Sequence, residues 1–236
     1  CSQTHQVVGL EALVRWEHPD RGLLSPDAFI PIAEQRRMIG RLGSWILHRA
    51  CTQLKEWQEA GFIDLTVSVN VSAHQFQECD WVETVEQAIT SSQITPSSLK
   101  LEITESVVMS NEEESIKKLE ALKDLGVQIL LDDFGTGYSS FSYLHKLCID
   151  VLKVDKSFTA EVTSTPNKAA LISGLITLAH SLDLKVVVEG VETEEQQVFL
   201  QQKHCDFLQG YLFHPPMPPE DVPAYLAKHF VYDPPN

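Results

Sequence analysis

A TIM-like α/β barrel is the fold class this 236-residue chain predicts, on three observations. Short apolar, β-branched runs alternate with longer helix-patterned stretches along the whole chain. The runs lack polar alternation, as parallel strands covered on both faces require. Five of them carry acids or an amide at or near their carboxyl ends: Glu11, Asn70, Glu102 with Glu105, Asp132 with Asp133, and Glu189 with Glu192. An ionised carboxylate is costly inside a buried sheet, and the carboxyl ends of barrel strands form the reactive face, so these acids point to a site. Such barrels run to about 250 residues. One domain over 1–236 is expected, because no Gly/Ser tract or internal repeat divides the chain.

Strands are read at 7–14, 65–71, 99–103, 127–132, 151–155, 184–189 and 207–213. Helical periodicity marks 27–59, 81–90, 112–125, 168–182 and 194–202. Asn111 before the acidic turn Glu112, Glu113, Glu114 starts one of these helices, and Gly126 stops it. A proline-rich stretch at 214–219 leads to a closing helix from Glu220, and 233–236 reads as a frayed tail. Seven strands leave the chain one short of a full barrel, an open edge at its amino end.

With 33 acidic against 18 basic side chains the net charge is -15. A broad grip on a nucleic-acid polymer, or direct contact with an anionic membrane, is excluded on that balance. An anionic ligand needs a metal, or local Arg and Lys, to be tolerated. The cysteines (Cys1, Cys51, Cys79, Cys148, Cys205) are odd in number and lack zinc-site spacing. They are expected to be small buried thiols in a reducing cytoplasm. No targeting segment is visible, and no apolar run approaches the roughly 18 residues of a membrane span. The abrupt start at Cys1 is expected to mark a piece of a longer protein, one compatible with a membrane anchor elsewhere.

The chemistry concentrates at the strand ends. Asp132 and Asp133 repel unless a cation or proton is shared, so they either serve metal ions, which in pairs sit about 3.5–4 Å apart, or are a solvated surface pair. The following Phe134 to Gly137 has the glycines of a mobile substrate loop. Period-two geometry puts Glu102 and Thr104 on one side and Glu105 past the strand end. Glu102 is then an inner ligand and Glu105 a holder of the neighbouring loop, or both are surface glutamates. Asn70 is a neutral oxygen ligand or a hydrogen-bonded core residue. Lys153, in mid-strand, requires acidic neighbours. It acts on a water or a phosphate, or forms a structural salt bridge. Arg15 has a fork suited to phosphate, or makes a surface ion pair. Without clustered histidines, an oxygen-rich site favours Mg²⁺ or Mn²⁺ over Zn²⁺. No GxSxG or GxxxxGK[ST] motif supports serine catalysis or a phosphate-cradling loop.

In order along the chain, Glu11-Ala12-Leu13 with Arg15, Asn70, the run from Glu102 to Glu105, Asp132 to Ser140, Lys153-Val154-Asp155, Glu189 to Glu192, and Gln209-Gly210-Tyr211 resemble the EAL domain family. The resemblance implies a bacterial cyclic di-GMP phosphodiesterase on a TIM-like barrel, giving linear 5′-pGpG with Mg²⁺ or Mn²⁺, two ions per site. It also implies metal ligation by Glu11, Asn70, Glu102, Asp132 and Asp133, with Glu189 and Gln209 completing the metal and water shell. Lys153, Glu189 and Glu11 form the implied catalytic set, Lys153 contacting the attacking water. Arg15 meets substrate phosphate, with Leu13, Asp155 and Gln209 on the substrate side, and Glu105 anchors the loop after Asp133. A homodimer, an upstream sensory or GGDEF-type domain and a cytoplasmic location belong to the same expectation. Two departures stand out: the family's amino-terminal helix and first strand, with its substrate-contacting Gln, are expected to be missing, and Val154 replaces the more usual Ile. A cyclic di-GMP receptor without turnover and a different metal-dependent barrel enzyme are the competing readings.

Overall fold

The computed structural model describes residues 1–134 and 144–230. Seven parallel strands curl into an incomplete TIM-like barrel in the order β1 (Gly9–Ala12), β4 (Thr66–Val71), β5 (Leu99–Thr104), β6 (Gln128–Phe134), β7 (Val151–Val154), β8 (Lys185–Val188) and β9 (Phe207–Leu208). Branched residues recur along these strands because helices cover them outside and side chains fill them inside, as Val67, Val69, Leu101, Ile103, Leu131, Leu152 and Val186 do. The two edges of the sheet approach each other at the mouth, where Gln209, one residue past β9, donates to Glu11 of β1 at 2.6 Å. Near the base, the Lys100 ammonium of β5 lies 5.6 Å from the Phe207 ring centre on β9. Ser2 is buried there, its amide donating to Asp206 O at 2.9 Å.

Between the strands run α1 (Pro26–Gln35), α2 (Ile39–Glu59), α3 (Ala73–Gln77), α4 (Trp81–Ser92), α5 (Glu105–Met109), α6 (Glu112–Asp124), α7 (Lys156–Thr159), α8 (Pro166–Ser181), α9 (Glu194–Gln202) and α10 (Val222–His229). α2 returns from the mouth to the base. Near its start, Gly40 and Gly43 leave room for the side chains of Glu78 and Gln75, at α3 just past the carboxyl end of β4. Near its end, Gln58 donates to Leu65 O at the foot of β4, 3.1 Å away.

Several expectations are corrected. The stretch 27–59 is two helices, because Arg37 takes a left-handed conformation (φ 55°) and turns the chain so that both Phe29 and Ile39 reach the core. The strand expected at 7–14 shortens to β1 and is followed by an antiparallel hairpin, β2 (Trp16–His18) and β3 (Gly22–Leu24). Its three-residue strands are too short for a periodic signal. The strand expected at 207–213 shrinks to β9, since Gln209 and Leu212 turn to bond the backbone of Val191. The thiols are not uniformly buried: Cys51 and Cys205 are, Cys1 and Cys148 are half-buried, and Cys79 is exposed. Burial pushes the thiols of Cys51 and Cys205 up to about 12, which leaves them unreactive at neutral pH. Among the described residues no helix is long and apolar enough to cross a membrane. The tail at 233–236 and the glycine-rich loop after Phe134 lie outside the described residues.

Candidate active site

Lys153 organises the mouth of the barrel. Its side chain, 2% exposed, rises from β7, and its ammonium lies 2.5 Å from Glu102, 2.6 Å from Glu189, 3.4 Å from Glu11 and 3.8 Å from Asp132. Four different strands or strand ends supply these carboxylates. Glu11 also accepts from Asn70 Nδ2 at 2.7 Å and Gln209 Nε2 at 2.6 Å. Parallel pairing explains the convergence: Asn70 stands level with Glu102, Thr104 with Asp132, and Lys153 with Val187, so inward positions form a shared polar layer. The structure therefore brings together Glu11, Asn70, Glu102, Asp132, Lys153, Glu189 and Gln209.

Asp132 and Asp133 owe their presentation to an irregularity in β6, whose register with β7 shifts between Leu131 and Phe134. Asp133 adopts φ 55°, a conformation Asp tolerates better than bulkier residues, and its amide donates to Asp132 Oδ1 at 2.9 Å. Asp133 is thereby turned out to the exposed rim while Asp132 faces the layer.

Burial and charge pull these groups in opposite directions. Burial pushes the Glu102 carboxyl up to about 7 against the pull of Lys153, and it raises Asp132 and Glu189 in the same way. Burial also works against ionised Glu11, but Lys153, Gln209 and Asn70 outweigh it and hold that carboxyl below its ordinary range. Lys153 is held above its ordinary value although burial opposes it, because the acids around it prevail.

One ammonium does not neutralise four carboxylates, and among the described residues Glu102 Oε1 is buried with no partner within hydrogen-bond geometry. A buried, unpartnered carboxylate oxygen in an all-oxygen donor set fits a hard divalent cation. Among the described residues no three acidic, His or Cys side chains already stand as a ready cage. The ammonium lies among the carboxylates instead.

The remaining candidates sit outside this ring. Leu13 and Arg15 lie just past β1, Leu13 exposed and Arg15 Nη1 bonded to Val14 O at 2.9 Å. Asp155 accepts from Ser157 N at 2.9 Å and caps α7. Glu105 is buried at the start of α5, and the loop segment it was expected to hold lies outside the described residues.

One residue that sequence reasoning passed over positions the turn after Glu189. The buried Gln196 accepts from Glu192 N at 2.7 Å and Thr193 N at 3.1 Å, and donates to Thr159 O at 3.1 Å. It ties the end of α7, the short helix after the strand of Lys153, to the turn after Glu189. Its signal was present as a Thr193-to-Gln196 capping box. The same turn is gripped from the other side, because a Cβ on Gly210 would lie 2.1 Å from Val191 O. Gly210→Ala is therefore expected to displace Gln209 from Glu11 and destabilise the fold by about 1–3 kcal/mol. Urea unfolding midpoints for the two proteins check this, and an unchanged midpoint would refute it.

Residues 1–216 match the EAL domain family model. The bifunctional diguanylate cyclase/cyclic di-GMP phosphodiesterase MucR of Pseudomonas aeruginosa is 44% identical over 221 residues, which make up 94% of this chain and 32% of that protein. Cyclic di-GMP phosphodiesterase NbdA of the same organism is 43% identical over 227 residues, 96% of this chain and 29% of that protein. The chain thus spans about a third of the length of these relatives. Among solved structures, the PaMucR phosphodiesterase in complex with c-di-GMP superposes with a TM-score of 0.88 at 44% identity, covering 91% of this chain and 87% of that one. The EAL domain of Mycobacterium smegmatis DcpA gives 0.83 at 35% identity, covering 98% and 95%. Family match and relatives agree with the acids gathered at the strand ends, and the chain belongs to the EAL domain family.

Proposed function

We propose that this chain hydrolyses cyclic di-GMP, opening one of its two phosphodiester bonds to give linear 5′-pGpG. The observation that carries the reading is the ring of carboxylates around Lys153, with its surplus negative charge and a Glu102 oxygen unpartnered among the described residues. The names of the relatives supply the substrate: MucR and NbdA are cyclic di-GMP phosphodiesterases, and the PaMucR phosphodiesterase structure is a c-di-GMP complex.

In this reading Glu11, Asn70, Glu102, Asp132 and Asp133 would hold two Mg²⁺ or Mn²⁺ ions, with Glu189 and Gln209 completing the shell. Such ions lower the pKa of the attacking water and offset negative charge on the leaving oxygen. Lys153, kept protonated by its neighbours, donates to the attacking water and orients it for in-line approach to phosphorus. Glu189, 2.6 Å from Lys153 and only partly buried, takes the proton that the water gives up. The water oxygen bonds to phosphorus as the bond from phosphorus to the 3′-oxygen breaks; that oxygen takes a proton from solvent to leave as the 3′-hydroxyl, and the proton taken from the water returns to solvent. Arg15 meets the phosphate, Leu13, Asp155 and Gln209 line the substrate side, and Glu105 anchors the loop after Asp133. A bacterial cytoplasm, a homodimer and an upstream sensory or GGDEF-type domain complete the proposal, and the greater length of the relatives supports the last. A receptor without turnover would need Lys153 only as the counter-charge of the carboxylates around it.

Anion-exchange chromatography after incubation with cyclic di-GMP and Mg²⁺ or Mn²⁺ should show 5′-pGpG accumulating. EDTA should stop it and added ion restore it. Bound but uncleaved cyclic di-GMP at saturating ion would instead establish the receptor reading.

A further inference from the structure

We propose that Arg36, Arg37 and Arg41, at the turn between α1 and α2, steer the dianionic substrate toward the acidic barrel mouth. This rests on the phosphodiesterase reading above and deepens it. The body of the chain is a poor attractor for such a ligand, since its net charge is -15. Its cations, however, are unevenly placed. Arg15, Arg21, Arg36, Arg37, Arg41 and Arg49 are all the arginines of the chain, and they fall within its first 49 residues. Among the described residues none of them forms an ion pair, whereas Lys55, Lys117, Lys123, Lys146, Lys153 and Lys168 are each matched with a carboxylate. The arginine charge is thus left open to solvent, while half of the lysine charge is consumed internally.

Arg36, Arg37 and Arg41 are exposed, and they stand at the mouth end of the barrel. That placement follows from α2, whose Gly40 and Gly43 pack on Gln75 and Glu78 just past the carboxyl end of β4. It also follows from α1, whose Phe29 ring lies 5.9 Å from that of Trp16 in the hairpin after β1. Within the turn itself, from Glu34 to Arg41 and with Glu78 packed on Gly40, three arginines face two acids. Charges act over about 8 Å at physiological ionic strength, so a ligand nearing the mouth feels this rim rather than the whole molecule. Local positive potential raises the rate of encounter without a contact in the bound state, and it falls with salt.

The test is stopped-flow association of a fluorescent 2′-O-anthraniloyl derivative of cyclic di-GMP with Mg²⁺-loaded protein. Three proteins are compared: the unmodified chain, the triple variant Arg36→Gln/Arg37→Gln/Arg41→Gln, and the triple variant with Lys at the same positions. Circular dichroism verifies that all are folded. Steering predicts an association rate about tenfold lower for the Gln variant at low ionic strength. It also predicts unchanged dissociation, a gap that closes near 0.5 M salt (on the order of a 4–5 Å Debye length), and a Lys variant as fast as the unmodified protein. Equal association rates, a loss that persists at high salt, or a Lys variant as slow as the Gln variant would overturn it, the last by pointing to a shape-specific contact. An unmodified protein that does not bind the probe would overturn the phosphodiesterase reading, and steering with it.

Discussion

Lys153→Met is expected to cost the ion-free protein about 3–5 kcal/mol of stability and to lower kcat by about 10²-fold or more. The side chain is buried among Glu11, Glu102, Asp132 and Glu189, and among the described residues no other cation lies within ion-pair range of these four. Methionine fills similar space but leaves the carboxylates facing one another, so the loss is electrostatic rather than a cavity. Mn²⁺ should then recover part of the stability, because an ion bound only to the folded state contributes about 2.7 kcal/mol at a hundred times its Kd. Urea unfolding with and without Mn²⁺, beside steady-state hydrolysis, measures both effects. A variant as stable as the parent without ions would mean that Lys153 is not the counter-charge of this layer.

Glu11→Ala should behave in the opposite way. It removes one of four acids around a single ammonium, so repulsion among the remaining three falls as the ion pair at 3.4 Å is lost. Asn70 Nδ2 and Gln209 Nε2 lose their acceptor, but at the open mouth, where water can replace it. Stability should therefore change by no more than about 1 kcal/mol. Hydrolysis should fall by about 10³-fold or more, beyond the 10–100-fold typical of losing an outer-shell partner of a metal site. Steady-state turnover paired with an unfolding curve separates lost chemistry from lost fold, and full turnover in this variant would remove Glu11 from the site.

Much of this architecture was legible because the signals were redundant. Every barrel strand was found from its branched apolar run, and the acids at the strand ends declared which end is the mouth. Lys153 was informative for the same reason. An ammonium in mid-strand demands acidic company, and the structure places four carboxylates around it. What escaped was set by tertiary packing. The break at Arg37 depends on Phe29 and Ile39 both needing the core, and helical periodicity continues across it. The end of β9 depends on Gly210 lying against Val191, a contact between segments far apart in sequence. The α7 cap made by Asp155, a residue the resemblance places on the substrate side, was not foreseen. Gln196 was hidden by ordinary helix-start chemistry that also ties the end of α7 to the turn after Glu189.

Whether the carboxylate ring is a divalent-ion site that works on cyclic di-GMP can be decided by one diffraction experiment. Crystals grown with Mn²⁺ and cyclic di-GMP would be measured near the manganese absorption edge. Anomalous peaks bounded by Glu11, Asn70, Glu102 and Asp132, with a substrate phosphate beside them, are expected. Ordered cyclic di-GMP with no anomalous signal among these side chains, and the Lys153 ammonium still filling their centre, would show that the acids serve only as partners of the lysine.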